Sequence, residues 1–148
     1  EQIHLLKKNL KAVAAGIISG TLAGLCSILL MSKLFGFNHQ EYVTMLPKSI
    51  TTAIGMGVSE ELGGIVTITV AVIIITGVLG NMIAEVVYKI AKIEEPIARG
   101  LGLGTSAHAI GTAKAMELGP VEGAMSSLAI AVAGLLTVVG ASVFAGMM

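Results

Sequence analysis

"ARGLGLGTSAHAIGTAKAMELGP", residues 98–120, is the stretch on which the reading of this chain turns. Gly100, Gly102 and Gly104 are expected to loosen a helix here, at up to about 1 kcal/mol each relative to Ala. Thr105, Ser106, His108, Thr112 and Lys114 then follow within ten residues. The second half, "AIGTAKAMELG" (Ala109–Gly119), has a counterpart 56 residues earlier in "AIGMGVSEELG" (Ala53–Gly63). Both open on Ala-Ile-Gly and close on Glu-Leu-Gly at the same spacing. Chance explains most of these identities in a chain rich in Ala, Ile, Leu and Gly. The matched Glu is harder to dismiss, being one of only nine acids.

Around these segments lie three stretches without a charged residue, Ala12–Ser32, Gly64–Ala84 and Gly123–Met148. Each reaches the roughly 20 residues that cross a bilayer as a helix. Of the 148 residues 55% are hydrophobic and 12% charged, and the charged share is half the roughly 25% of a soluble domain. A soluble core of this size does not hold three such helices. The expected fold is therefore an all-α, polytopic integral membrane protein, with plain spans at about 12–35, 64–88 and 121–147.

The remaining composition narrows the partners. Zero net charge leaves no basic patch for nucleic acid. With no Trp, Tyr42 and Tyr88 are the only candidates for an aromatic belt. The single Cys26 offers neither a disulfide framework nor a metal cluster, so no metal or cofactor is implied, and it reads as a small buried hydrophobe. The opening "EQIHLLKKNLK" lacks an initiator Met and is too charged for the apolar core of a signal peptide. It reads as an amphipathic interfacial piece, with Ile3, Leu6 and Leu10 on one side and Lys7, Lys8 and Lys11 on another. These lysines place that end in the cytoplasm. Gly16, Gly20 and Gly24 form a face on which another helix packs closely.

The earlier segment, "EYVTMLPKSITTAIGMGVSEELGG" (residues 41–64), is too polar for a plain span and too apolar for an exposed loop. Pro47 interrupts a helix there, and Ser49, Thr51 and Thr52 can satisfy the backbone groups this frees. Residues 41–63 and 98–119 are thus read as two discontinuous, Gly-broken segments of an internal repeat, each followed by a clean span. At the offset of 56, Thr52 faces His108, Gly55 faces Gly111 and Glu61 faces Glu117. Broken helices at corresponding positions of two repeats point to a transporter's midplane site. The repeats are inverted if each polar segment enters and returns, and parallel if each crosses.

At "LPKSITTAIGMGVSEELGGI" and "EPIARGLGLGTSAHAIGTAKAMELGPVEGAMSSLAIAVAG" the chain resembles the LrgB/CidB family, which includes the plastidal glycolate/glycerate translocator. The resemblance runs through essentially all of the sequence and matches the family's C-terminal portion, since members carry further hydrophobic spans upstream. It implies a bacterial plasma-membrane protein, or a chloroplast inner-envelope one in a plant. It implies transport of small monocarboxylates such as glycolate, glycerate or pyruvate. The alternative it carries is an antiholin-like role, modulating murein hydrolase activity and lysis with an LrgA/CidA-type membrane partner. A homo-oligomer is also expected. Where the family usually has Thr-Thr-Pro, this chain has Thr51-Thr52-Ala53, which assigns the flexibility there to Gly55 and Gly57.

A small carboxylate at the midplane needs backbone N–H groups, hydroxyls and a titratable group. Inward-pointing N-termini of broken helices supply the first, with Gly55 and Gly111 permitting close approach. Ser49, Thr51, Thr52, Thr105, Ser106 and Thr112 supply the second. His108, the only His in the apolar bulk, is a candidate for proton coupling, against the alternative of a structural His bonded to a backbone carbonyl. Lys48 and Lys114 are candidates to attract the carboxylate, with Lys114 alternatively paired to Glu117. Glu61 and Glu117 read as packing or helix-end groups or proton carriers. Arg99 and Glu122 read as interfacial. No arrangement of nucleophile, base and oxyanion hole is present, so an enzyme is not expected. A pore is disfavoured because the plain spans lack a polar stripe.

Overall fold

The computed structural model describes residues 2–148, and the side chain of Ile3, expected on the apolar side of the N-terminal piece, lies outside the described residues. Seven helices follow in order: α1 Gln2–Lys8, α2 Leu10–Phe35, α3 His39–Met45, α4 Thr52–Glu61, α5 Val66–Ile90, α6 Pro96–Leu118 and α7 Pro120–Ala145. Three are long and apolar enough to cross a membrane: α2, α5 and α7, of 26, 25 and 26 residues with mean hydropathies of 2.1, 2.2 and 2.3. At 1.5 Å per residue each is roughly 38 Å long, more than the roughly 30 Å hydrocarbon core.

These helices are amphipathic only in size and packing, which is the signature of lipid exposure. On α2 the buried stripe Val13, Ile17, Thr21 and Leu25 recurs every four residues, while Ile18, Leu22, Leu30 and Leu34 stand exposed. On α5 the buried set is Thr69, Ile73, Gly77 and Ala84, against an exposed face of Ile74, Ile75, Leu79, Met82 and Ile83. Large apolar side chains fill the outward faces, and threonines and a glycine join the apolar residues inside, which departs from the soluble rule. Cys26 also lies on the exposed face of α2, not in the core where a lone small hydrophobe was expected. Tyr42 is fully buried and its hydroxyl donates to the Phe144 carbonyl (2.9 Å); it packs a core rather than joining a belt.

Small residues set how closely the helices approach. The α6–α7 pair is the tightest: a Cβ on Gly104 would stand 2.5 Å from the Ser126 carbonyl oxygen, and one on Gly100 would run into that of Glu122. The Gly16–Gly20–Gly24 face of α2 meets the same helix and the turn before α4. A Cβ on Gly16 would lie 3.0 Å from Leu101, one on Gly20 2.7 Å from Thr105 Oγ1, and one on Gly24 4.0 Å from Ser49 Oγ. Gly100, Gly102 and Gly104 are therefore helical and do not break α6. Two of them exist for close approach, and packing against α7 outweighs their low helix propensity.

The breaks lie elsewhere. In the first segment the chain leaves α3 at Met45 and re-enters a helix at Thr52, with Pro47 inside the turn. Gly55 and Gly57, assigned the flexibility in the absence of a Pro at position 53, lie within α4. In the second segment the non-helical residues are Ala107 (φ −127, ψ 15) and His108 (φ 42, ψ −137). Thr51, the last residue before α4, and Ala107 stand 56 positions apart.

A buried polar knot ties the first break to α5. Thr69 Oγ1 lies 2.9 Å from the Thr44 carbonyl and 2.7 Å from Ser59 Oγ and donates to one or the other. Thr44 Oγ1 takes the Ile65 N–H (2.8 Å) and donates to the Gln40 carbonyl (2.6 Å). Each of these buried hydroxyls thus has a hydrogen-bond partner, as burial requires.

Candidate functional site

The second break decides the geometry. A residue with φ near +42° pays steric strain of roughly 1–3 kcal/mol unless it is Gly, and His108 is held there from two sides. Its ring Nε2 lies 2.8 Å from the Ile73 carbonyl on α5, so it is the N–H donor to that oxygen. Gly77 makes the approach possible, because a Cβ there would lie 2.6 Å from His108 Cε1. Gly80 does the same for Ala107, whose Cβ would be 2.5 Å away. Asn81 Nδ2 donates to the Ile110 carbonyl (3.1 Å), and Thr112 Oγ1 lies 3.1 Å from the His108 carbonyl and 2.7 Å from Ser126 Oγ. His108 is 4% exposed and its ring is bonded to backbone.

Ile73 serves both breaks. Its side chain occupies the space that a Cβ on Gly55 would need, beside the Pro47 carbonyl, while its own carbonyl receives His108. The Pro47–Ser49 turn and the 105–108 region therefore meet at one level of α5. Ser49 and Thr105 share a void of about 10 Å³ with Thr21 and Thr137. Lys48 and Ser106 line a lateral groove of about 470 Å³ between α5 and α6, together with Thr76. The Lys48 ammonium donates to Ser49 Oγ (2.9 Å), and among the described residues no carboxylate lies within salt-bridge distance of it.

Four of the sequence-derived residues thus converge: Lys48, Ser49, Thr105 and Ser106. Their hydroxyls are not equally free, since Thr105 donates to Leu101 (2.8 Å) and Ser106 to Gly102 (2.6 Å). The other candidates line neither space: Thr51, Thr52, Gly55, Gly111, Thr112, Glu117. Lys114 is engaged by Glu85 (2.6 Å) and more loosely by Glu117 (3.2 Å). Glu122, expected at the interface, is 6% exposed and folded back toward Gly119. Arg99 Nε is tied to the Ile93 carbonyl (2.7 Å), and its own carbonyl accepts from the Tyr88 hydroxyl (2.7 Å). Ile73, Thr76, Gly77, Gly80 and Asn81 were not anticipated. The Gly-x-x-Gly spacing at 77–80, inside a span read as plain, was the available signal.

Three long apolar helices packed with an α6 interrupted at Ala107–His108 define a polytopic helical membrane protein. The family model described as LrgB-like matches residues 1–147; the chain belongs to the LrgB family. It is 37% identical over 132 residues to the holin-like protein CidB of Staphylococcus aureus (strain N315), covering 89% of this chain and 58% of that protein. To the holin-like protein CidB of Staphylococcus epidermidis (strain ATCC 12228 / FDA PCI 1200) it is 38% identical over 132 residues, with the same coverage. The chain thus spans 58% of the length of these relatives. No solved structure matches it. With three membrane-spanning helices and bacterial relatives, it is an integral protein of the bacterial plasma membrane.

Proposed function

We propose that the chain acts as a holin-like membrane protein that modulates murein hydrolase activity and cell lysis with an LrgA/CidA-type partner. The printed name of its staphylococcal relatives, holin-like protein, supports the holin-like part of this reading, and the hydrolase and the partner are what the family resemblance implies. A second reading, a carrier of small monocarboxylates such as glycolate, glycerate or pyruvate, is favoured by one geometric observation. Lys48 lies at a helix break and at the edge of a groove, and among the described residues no carboxylate is within salt-bridge distance of it. An unpaired cation at membrane depth is costly and is a functional candidate for that reason. In this reading the carboxylate supplies the missing counter-ion, and His108 couples the state of α5 to the break.

One experiment separates the two. The full-length protein in proteoliposomes is assayed for counterflow of labelled glycolate and pyruvate, with entrapped dye as a leakage control. Dye release without saturable exchange supports the holin-like reading. Saturable exchange without leakage, lost in Lys48→Met, supports the carrier and removes the need for a pore.

A further inference from the structure

Helix α5 serves as a ruler along which both interrupted segments can be placed. For the first, Gln40 Nε2 donates to the Gly63 carbonyl (3.3 Å), and Thr44 Oγ1 takes the Ile65 N–H. The start of α3 and the end of α4 thus lie at one level, beside the N-terminal end of α5. The turn between them reaches Ile73, whose side chain meets Gly55 beside the Pro47 carbonyl. The second segment runs the other way. Its turn, Ala107–His108, lies against Gly77 and Gly80, while Arg99 and Leu118 both border Tyr88 near the C-terminal end of α5. Between these levels Leu103 and Ala115 share a buried cluster with Ala84. Helix α7 agrees: a Cβ on Gly100 would meet Glu122, and one on Gly123 would lie 3.2 Å from Met116 Cα. Gly111 marks the reversal, since a Cβ there would stand 2.8 Å from the Leu103 carbonyl oxygen. Eight residues of straight helix would hold the two about 12 Å apart.

From this we infer that the two segments are re-entrant hairpins inserted from opposite faces of the membrane, an inverted repeat whose tips meet at one junction inside the bilayer. From Ile65 to Tyr88 α5 rises about 35 Å at 1.5 Å per residue, a little more than the roughly 30 Å hydrocarbon core. The two pairs of hairpin ends therefore stand on different faces. The tips are joined by the small-residue face of α2. Gly20 lies against Thr105 and Gly24, one turn on, against Ser49, and both of these residues border the void shared with Thr21 and Thr137. Irregular backbone at this depth is tolerated where protein buries it, and α2, α5 and α7 do so here. A solute at the junction is separated from each face by a different hairpin, the geometry in which one face opens while the other stays shut. The arrangement is independent of whether the chain leaks or carries, and goes beyond both readings.

The test places single cysteines in the full-length protein, in a cysteine-free background that includes Cys26→Ala. Four exposed positions are used: Gln40→Cys, Glu61→Cys, Glu94→Cys and Glu117→Cys. A membrane-impermeant maleimide is applied to intact cells and to inverted vesicles made from them, with detergent-solubilised protein as the reactivity control. Gln40→Cys and Glu61→Cys are expected to react in the same one of the two preparations, and Glu94→Cys and Glu117→Cys only in the other. A member of either pair reacting from the face opposite its mate overturns that hairpin. All four reacting from one face overturns the opposite entry. The junction is read separately with dibromobimane, which fluoresces on bridging two thiols. Ser49→Cys/Thr105→Cys is expected to fluoresce and Ser49→Cys/Glu117→Cys is not. Failure of the first pair to bridge overturns the tip contact and leaves the hairpins standing.

Discussion

His108 shows how one residue meets conflicting demands. Its backbone sits where only Gly is comfortable, and its ring holds it there by donating to Ile73. The notch that admits the ring belongs to another helix, which makes the pair testable as a pair. Gly77→Ala is expected to destabilise the protein by about 1–3 kcal/mol through overpacking against His108, read as a lower thermal midpoint in detergent. In a His108→Ala background the same substitution costs far less, and this non-additivity marks the contact. A Gly77→Ala penalty that persists unchanged without the ring refutes the contact. His108 was legible in the sequence because an ionisable group amid apolar residues announces itself. Gly77 was not, because a lone Gly in an apolar run carries no mark of what passes across it.

At the level of elements, the ends and crossings of helices carry the consequences. The C-terminus of α5 closes with Ile93 N–H on the Tyr88 carbonyl (2.9 Å) and Lys92 at φ 53, a left-handed closing position at which Gly is usual. Lys92→Gly is expected to stabilise the protein by about 1 kcal/mol, seen as a raised midpoint; a lowered one rejects the assignment. Gly104→Val does the reverse, since its Cβ meets backbone rather than a yielding side chain. A loss of about 2–3 kcal/mol is expected, whereas Gly57→Ala, with nothing within 4 Å, is neutral or stabilising. The three spans were readable because uncharged runs of this length have one physical outcome. The interruption at Pro47 was readable because proline breaks a helix, but the one at Ala107–His108 was not. Glycine was weighed there by its intrinsic propensity, and helix packing overrides that term at Gly100 and Gly104.

For the whole molecule, the solvent is the decisive variable. The faces that a soluble protein would bury are turned outward, and the hydroxyls of Thr21, Thr44, Thr69 and Ser126 are turned in. Cys26 offers a direct check, being exposed within the long apolar helix α2. In intact membranes it is expected to resist a charged, water-soluble maleimide and to react with an apolar one; rapid labelling by the charged reagent contradicts the lipid-facing assignment. For the candidate site, the sequence named residues in two segments, and Lys48, Ser49, Thr105 and Ser106 are those that line the groove and the small void. It spread the candidates over both, because it carried no information on which turn of α5 brings them together.

That turn has a mechanical consequence. Ile73 fills the hollow at Gly55 with its side chain and receives His108 with its main chain. One residue is therefore the common bearing for two interruptions that lie far apart along the chain. A shift of either interrupted helix therefore presses on the same rung of α5, and strain introduced at one interruption is expected to register at the other.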